Sequence, residues 1–298
     1  MKKRKAKILA CDDEASILEV LKTILISEGF DIVTARNGFE AIELYKKELP
    51  DLIILDVSMP GMTGFQVLDN LRTQFAEKYT PVIFLTASIK IDDKLRALHS
   101  GAVDYLVKPI SPDELIARIQ NFLEIKKKHD KLKEEATFDW MTGTLNKSYF
   151  LQKAKEELDK ALRNNTPLAF ILTDIDRFKE INDTLGHLAG DKVIREFADR
   201  LKCLIRKIDL IGRFGGDEFM VMLSHKREME AVIVAERLKV SLKKPVNFEN
   251  NKINITFSMG IVSTRDIEKP NINDLFALAD KALYEAKSKG GNQFVLKP

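Results

Sequence analysis

Five short apolar runs, each followed by an amphipathic stretch, occupy residues 7–126 of this 298-residue chain. Such an alternation is typical of βα units around a parallel sheet, and five units predict a doubly wound, flavodoxin-like α/β domain over residues 1–125. The runs are Lys7–Ala10, Asp31–Thr34, Leu52–Leu55, Pro81–Leu85 and Asp104–Val107. Because ligands of this fold bind at the carboxyl ends of the strands, the residues that follow each run are the first candidates for a functional site.

Charged side chains stand at three of these strand ends. Asp12 and Asp13 follow the first run, Asp56 follows the third and Lys108 follows the fifth. Carboxylates that converge on one crevice repel one another, and Mg²⁺ relieves that repulsion. A carboxylate beside Mg²⁺ and a lysine can attack a phosphoryl donor, because the cations offset the charge on the transferred oxygens. Asp56 is therefore a candidate phosphoacceptor, although acids at strand ends also serve as helix N-caps.

The first half of the chain resembles a CheY-like response-regulator receiver domain. The resemblance is carried, in order, by Asp12-Asp13, Leu55-Asp56-Val-Ser-Met-Pro-Gly61, Thr86-Ala87 and Lys108-Pro109. It implies that Asp56 is phosphorylated by a cognate histidine kinase, and that Asp13 and Asp56 bind Mg²⁺ with support from Asp12. The switch residues that it implies are Thr86, Tyr105 and Lys108.

The second half carries two glycines and two adjacent acids, Gly215-Gly216-Asp217-Glu218, between strand-like runs. Because Gly-Gly tolerates the positive φ of a tight turn, the segment predicts a hairpin with the acids at its tip. The order of runs around it predicts an α+β domain over residues 138–298 with a βαββαβ core. One strand of this core is expected to run from Ile253 to Val262. In such a sheet Asp174, at the end of the first strand, would lie beside the hairpin.

Two strings resemble the GGDEF family of diguanylate cyclases. One is Arg206-Lys-Ile-Asp209 with the following Gly215 to Phe219, and the other runs from Asp174 to Asp191. The resemblance implies a Mg²⁺-dependent homodimer that condenses two GTP into cyclic di-GMP and two pyrophosphates and is inhibited by its product. The residues that it implies are Asp174, Ile175, Asp217 and Glu218 for metal, Asp217, Glu218 and Lys179 for catalysis, Phe178, Asn182, His187, Asp191 and Lys287 for GTP, and Arg206 and Asp209 for inhibition.

One position departs from the family. Lys287 matches a lysine that binds triphosphate, whereas Gly291 stands where the family usually has arginine. A lost charged contact would weaken GTP binding by about 1.5–3 kcal/mol. The alternative function is therefore a catalytically inactive receptor that binds cyclic di-GMP at Arg206 and Asp209, although the intact Gly215–Phe219 segment opposes it.

A long helix is predicted to connect the two domains. Ser111-Pro112-Asp113-Glu114 is a helix-start signature, and no glycine or proline follows until Gly143, so one helix over about residues 112–137 is expected. Residues 126–137 would then form the linker. Spacings of three and four favour a coiled-coil seam between two copies, although a solvated helix face would also fit this charge-dense segment. The seam residues are Phe122, Ile125, His129, Leu132 and Ala136.

Charge and hydropathy argue against other classes of protein. The 48 Lys and Arg residues nearly balance the 45 Asp and Glu residues, which disfavours nucleic-acid binding through bulk charge. No apolar run approaches the roughly 20 residues of a membrane span. A DNA-binding response regulator is disfavoured because no recognition-helix module follows the receiver. We expect a cytoplasmic protein with neither a nucleic-acid nor a membrane partner.

Overall fold

The computed structural model describes residues 4–75, 78–87, 104–224, 228–265, 267 and 270–297. It divides the chain into two compact units, residues 1–132 and 133–298. The helix expected between the fourth and fifth strands falls on residues outside the described ranges. Within these ranges, none of the helices combines the length and the apolar character needed to cross a bilayer.

The first unit is built on a five-stranded parallel sheet of order β2-β1-β3-β4-β5. Alternate residues of β1 enter different apolar clusters, Leu9 on one face of the sheet and Ile8 on the other, so helices cover both faces. The predicted doubly wound fold is confirmed. Its elements are β1 (Lys7–Cys11), α1 (Ala15–Ser27), β2 (Asp31–Ala35), α2 (Gly38–Glu48), β3 (Leu52–Asp56), α3 (Gly64–Gln74), β4 (Val82–Thr86) and β5 (Asp104–Val107).

The predicted long helix is present as α4 (Pro112–Thr137), with Asp113 and Glu114 in its first turn. Two of the proposed seam residues have partners inside the first unit. Phe122 is buried in the apolar cluster on one face of the sheet, and the His129 imidazole packs against the Tyr79 ring with 4.5 Å between centroids. Phe122 therefore belongs to the core and not to a seam, which only the tertiary packing reveals. Exposed positions remain in the rest of the series, at Ile125, Leu132 and Ala136.

The second unit has a five-stranded sheet of order β12-β11-β6-β8-β7. The central strand β6 is antiparallel to β8 and β11, while β12 pairs in parallel with β11 at the edge. The predicted βαββαβ core is present, preceded by α5 and extended by α9 and β12. Its elements are α5 (Lys147–Arg163), β6 (Ala169–Ile175), α6 (Phe178–Leu185), α7 (His187–Leu204), β7 (Leu210–Gly215), β8 (Glu218–Leu223), α8 (Glu228–Leu242), β9 (Val246–Phe248), β10 (Asn251–Ile253), β11 (Phe257–Ser263), α9 (Ile272–Ser288) and β12 (Gln293–Lys297).

One strand boundary differs from the prediction. A single strand was expected from Ile253 to Val262, but Ile253 ends β10 and pairs with Val246 of β9 in a separate two-stranded sheet. The strand that joins the main sheet begins at Phe257. The apolar alternation continues across this break because Ile255 is also buried, so the sequence pattern alone does not reveal it.

The two faces of the second sheet are covered by different helices. Alternate residues of β6, such as Ile171, pack in a cluster with α7 and α8, whereas Phe170 and Leu172 pack in a cluster with α5 and α9. Since side chains alternate along a strand, Asp174 lies on the same face as Phe170 and Leu172. This places Asp174 on the side of the sheet that α9 covers.

Candidate functional site

The strand ends of the first unit bring two carboxylates and one ammonium group together. Lys108 Nζ lies 2.7 Å from Asp12 Oδ2 and 2.7 Å from Asp56 Oδ1. Asp12 is 0% exposed and Asp56 is 4% exposed, so the lysine offsets charge that water does not reach. Burial raises the pKa of the Asp56 carboxyl, and the hydrogen bond from Lys108 opposes that rise. A cation is therefore favoured beside Asp56.

The other predicted receiver residues surround this group. Thr86 ends β4 and is buried, and its carbonyl accepts a hydrogen bond from the Lys108 N–H at 2.8 Å. Tyr105 is half-buried on β5 against the cluster that α2 and α3 cover. Asp13 is exposed, next to the buried Asp12. The Lys108–Pro109 peptide bond is cis.

In the second unit, strand pairing places the predicted acids side by side. Asp174 of β6 pairs directly with Glu218 of β8, so both side chains project from the same face of the sheet. Asp217 lies in the two-residue turn between β7 and β8, where Gly216 has a φ of +50°. Lys287, in the last turn of α9, places Nζ 2.7 Å from Asp174 Oδ2. Residues from three segments that are distant in sequence thus meet at the end of β6: Asp174, the pair Asp217 and Glu218, and Lys287.

Crowding of these acids perturbs their protonation. Burial, followed by the charge of Asp174, raises the pKa of Asp217 to about 6. Burial also raises the pKa of Asp174 and of Glu218, although Lys287 opposes the rise in Asp174. Each ionised carboxylate disfavours the ionisation of the neighbouring carboxyl groups. A cation bound among them would relieve this repulsion.

This pKa predicts how stability depends on pH. A raised carboxyl pKa means that ionised Asp217 destabilises the folded state, so this penalty is absent below pH 4 and grows as the pH rises through 6. In EDTA at pH 7.5, Asp217→Asn should unfold with a free energy about 1–2 kcal/mol larger than that of the natural protein, after allowance for solvent screening. Urea unfolding followed by far-ultraviolet circular dichroism measures this. The difference should shrink towards pH 4, and a constant difference would contradict the assignment.

The donors at both sites suit Mg²⁺. In the described ranges, no group of three or more His, Cys, Asp or Glu side chains is arranged to hold a metal ion. Mg²⁺ is commonly bound by one or two carboxylates, with water and substrate phosphates completing its shell. Asp174 and Asp217 meet that requirement in the second unit, as Asp12 and Asp56 do in the first. At each site a lysine ammonium lies against one or both of these carboxylates.

Apart from Lys287, the predicted GTP-binding residues lie on α6 and α7, which pack against each other at Gly190. A Cβ at Gly190 would lie 2.0 Å from Asn182 Oδ1 and 3.0 Å from the Phe178 ring, so glycine permits this close approach. Asp191 follows directly, with its carboxylate 3.8 Å from Arg195. The sequence interpretation missed Gly190, although its position just before Asp191 was a usable signal.

Two further predicted residues are exposed. Lys179 lies in the first turn of α6 and His187 is the first residue of α7. A groove of about 360 Å³ opens beside the acids. It is lined by Glu218, Asp280, Lys281, Leu283, Tyr284 and Lys287.

Arg213 is a second residue that the sequence interpretation missed. Its guanidinium donates to the carbonyl of Gly216 at 2.6 and 2.9 Å and lies 3.3 Å from the Asp139 carboxylate. It therefore connects the hairpin that carries Asp217 to the segment that follows α4. Its place two residues before Gly215 was a signal, but its partner lies 74 residues away in sequence.

Arg206 and Asp209 differ in their surroundings. The Arg206 side chain is exposed, whereas Asp209 is buried. The Asp209 carboxylate accepts from the main-chain N–H of Arg206 at 2.8 Å and of Ser224 at 3.1 Å. The Asp209 carboxylate therefore holds the loop that presents Arg206.

Comparison with known proteins agrees with both units. The family model of the diguanylate cyclase GGDEF domain matches residues 136–293, and that of the response regulator receiver domain matches residues 8–120. Response regulator PleD of Caulobacter vibrioides is 34% identical over 258 residues, which cover 82% of this chain and 56% of PleD. Diguanylate cyclase A of Treponema denticola is 32% identical over 284 residues, which cover 90% of this chain and 73% of that protein.

A solved structure agrees with the second unit. The GGDEF domain of PA1120 (TpbB or YfiN) from Pseudomonas aeruginosa matches with a TM-score of 0.52 at 31% identity, over 54% of this chain and 94% of that chain. The chain spans only 56% of the length of PleD. The matched ranges nevertheless contain both groups of acids described above, and on this basis the chain belongs to the GGDEF family of diguanylate cyclases, in the branch whose GGDEF domain follows a response-regulator receiver domain.

Proposed function

We propose that this chain is a diguanylate cyclase that condenses two GTP into cyclic di-GMP and two pyrophosphates, and that phosphorylation of Asp56 by a histidine kinase raises its activity. The observation that carries the proposal is the meeting of Asp174, Asp217 and Glu218 with Lys287 at the end of β6. The name of the relative diguanylate cyclase A supports the same activity, and the name Response regulator PleD supports control by a receiver domain.

The proposed chemistry assigns separate tasks to these residues. Asp174, Asp217, Glu218 and the main-chain carbonyl of Ile175 would hold Mg²⁺, which supplies activation of the 3′-hydroxyl and charge neutralisation at the departing pyrophosphate. Lys287 would leave Asp174 and bind the triphosphate. The pKa of Glu218, raised by burial, suits a carboxylate that accepts the proton of the attacking hydroxyl.

Guanine recognition is proposed for the α6–α7 pair. Asn182 of α6 lies against Gly190 of α7, and Asp191 is the residue that follows Gly190. An amide and a carboxylate can together pair with the edge of guanine. Adenine would leave a buried acceptor without a donor, which disfavours ATP. The remaining proposed contacts are stabilisation of transition-state charge by Lys179 and contacts to the nucleotide from Phe178 and His187.

Control by the receiver is proposed to act through a homodimer, because each GGDEF domain would hold only one GTP. Exposed Ile125, Leu132 and Ala136 on α4 would help pair two copies through the linker, residues 126–137. A short tether can supply an effective concentration on the order of millimolar. Phosphorylation sensed by Thr86, Tyr105 and Lys108 would change this pairing.

A path from the linker to the catalytic hairpin supports this proposal. The Asn146 side chain donates to the carbonyl of Ala136 at 2.9 Å and so holds the last turn of α4. Asp139, two residues beyond α4, lies against Arg213, which holds the carbonyl of Gly216. A change at the end of α4 therefore has a connected route to Asp217.

Product inhibition is proposed at Arg206 and Asp209, and Asp209 also holds the loop that carries Arg206. Arg206→Ala should raise the cyclic di-GMP concentration that halves the activity by about tenfold or more, because a bidentate charged contact would be lost. Initial rates of pyrophosphate release at increasing cyclic di-GMP measure this. The neighbouring exposed Lys207→Ala is the matched control. Equal inhibition of Arg206→Ala and the natural protein would show that the site lies elsewhere.

Chromatography of the nucleotides formed from GTP and Mg²⁺ tests the proposed function. The expected products are cyclic di-GMP and pyrophosphate, and ATP should yield no cyclic product. The alternative, an inactive receptor, predicts binding of cyclic di-GMP without turnover of GTP, and Gly291 is the residue that favours it.

A further inference from the structure

Asp176, the residue after β6, joins three segments of the second unit. Its Oδ2 accepts from Thr256 Oγ1 at 2.8 Å and from the main-chain N–H of Asn292 at 2.7 Å, and its Oδ1 accepts from Ser258 Oγ at 2.6 Å. Its own N–H donates to the carbonyl of Thr256 at 3.0 Å. This one carboxylate thus ties the end of β6 to the beginning of β11 and to the turn between α9 and β12.

The turn held by Asp176 has a rare backbone conformation. Gly290, Gly291 and Asn292 have φ values of +103°, +73° and +51° in succession. Non-glycine residues such as Asn292 adopt this region infrequently and persist there when the surroundings hold them. A Cβ on Gly291 would lie 2.9 Å from Asp176 Cγ, so the turn packs directly on the carboxylate. The hydrogen bond to the Asn292 N–H and this contact together hold the turn against the end of β6.

The same end of α9 carries Lys287. Its Nζ lies 2.7 Å from Asp174 Oδ2, and Asp174 stands two residues before Asp176. The end of α9 is therefore tied to the end of β6 by two contacts, the Lys287–Asp174 ion pair and the Asp176 hydrogen bond to Asn292. In the proposed reaction Lys287 binds the triphosphate and Asp174 binds the metal, so the ion pair opens when GTP binds. The Asp176 contact uses neither group and persists.

We propose that Asp176 is a positioning residue for GTP: by holding the turn after α9, it keeps the Lys287 ammonium over the site while the Lys287–Asp174 pair is open. This inference rests on the proposed function of Lys287. The proposed function assigns Asp176 to neither the metal nor the substrate. Positioning of Lys287 matters more in this chain than in a relative with arginine at the position of Gly291. With glycine there, Lys287 supplies more of the positive charge that binds the triphosphate.

Kinetics of Asp176→Ala test the proposal. The KM for GTP should rise about tenfold while kcat stays within about threefold, because the triphosphate is held in both the ground state and the transition state. Asp176→Asn should show a smaller rise, since the amide oxygen still accepts hydrogen bonds. In a Lys287→Ala background, Asp176→Ala should add less than about twofold, because both changes remove the same contact. Asp199→Ala, on the exposed side of α7, is the matched control.

Direct binding separates this inference from the proposed cyclase activity. The probe is a GTP analogue with a methylene group between the α and β phosphorus atoms, which cannot release pyrophosphate, titrated with Mg²⁺ by calorimetry. Weaker binding by Asp176→Ala and intermediate binding by Asp176→Asn are expected. Unchanged affinity in both variants, or a full effect of Asp176→Ala in the Lys287→Ala background, would overturn the inference and leave the cyclase standing. An analogue that the natural protein does not bind would overturn both.

Discussion

Asp174→Asn should lower kcat/KM for cyclic di-GMP formation by at least about 1000-fold, which is the scale of losing a charge that stabilises the transition state. Asparagine has the shape of aspartate but lacks the negative charge that Mg²⁺ requires. It also lacks the charge that pairs with Lys287. Chromatography of cyclic di-GMP formed at several GTP concentrations measures this ratio.

Two comparisons keep this test specific. Asp159→Asn changes an exposed carboxylate on α5 in the same unit and should leave kcat/KM unchanged. Circular dichroism of Asp174→Asn should match that of the natural protein, because the substitution removes a buried charge and preserves volume. A folded Asp174→Asn protein with activity within tenfold of the natural protein would refute the proposed metal-binding role.

Asp56→Asn should abolish phosphorylation and, with it, activation of the cyclase. The Asp56 carboxylate is the proposed nucleophile, and an amide does not attack a phosphoryl group under these conditions. Lys108 would keep its contact with Asp12, so the receiver should remain folded. Incubation with acetyl phosphate and Mg²⁺, followed by mass spectrometry of the intact protein, measures the added phosphoryl group. The control is Asp69→Asn, an exposed position on α3, which should be phosphorylated normally.

The opposite outcome has a clear meaning. Phosphate on Asp56→Asn would place the acceptor at another residue, and Asp13 would be the first to examine because it is exposed beside the pair. Phosphorylation of the natural protein without any change in cyclase rate would separate the receiver from the proposed regulation.

Much of the fold could be predicted because local periodicity and burial agree. The central strands β1, β3 and β4 of the first unit are buried on both faces, and their continuous apolar character is what a covered parallel strand requires. The long helix was predictable from the helix-start residues and the lack of glycine and proline. The β9–β10 hairpin was not, because Ile253 is apolar like the strand that follows it. The contact between His129 and the Tyr79 ring could not be predicted either, because the two residues are far apart in sequence.

The site residues could likewise be predicted where they stand in local sequence strings, but not where their role depends on long-range contacts. Asp56, Asp174, Asp217 and Lys287 stand in recognisable strings, and the structure brings the last three together. The hydrogen bonds of Asp176 and Arg213 could not be predicted, because they span 116 and 74 residues of sequence, respectively. The two main-chain donors to Asp209 could not be predicted, because they meet its carboxylate only when the loop is folded. Sequence spacing therefore predicts residues that bind a ligand more readily than it predicts residues that position other side chains.

The most direct test of the account is the rate of cyclic di-GMP formation from GTP and Mg²⁺ by the purified protein, with and without beryllofluoride as a phosphoryl mimic. We predict formation of cyclic di-GMP that rises with beryllofluoride in the natural protein and does not rise in Asp56→Asn. No cyclic di-GMP under either condition would contradict the proposed enzyme, and equal rates with and without the mimic would contradict its control by the receiver.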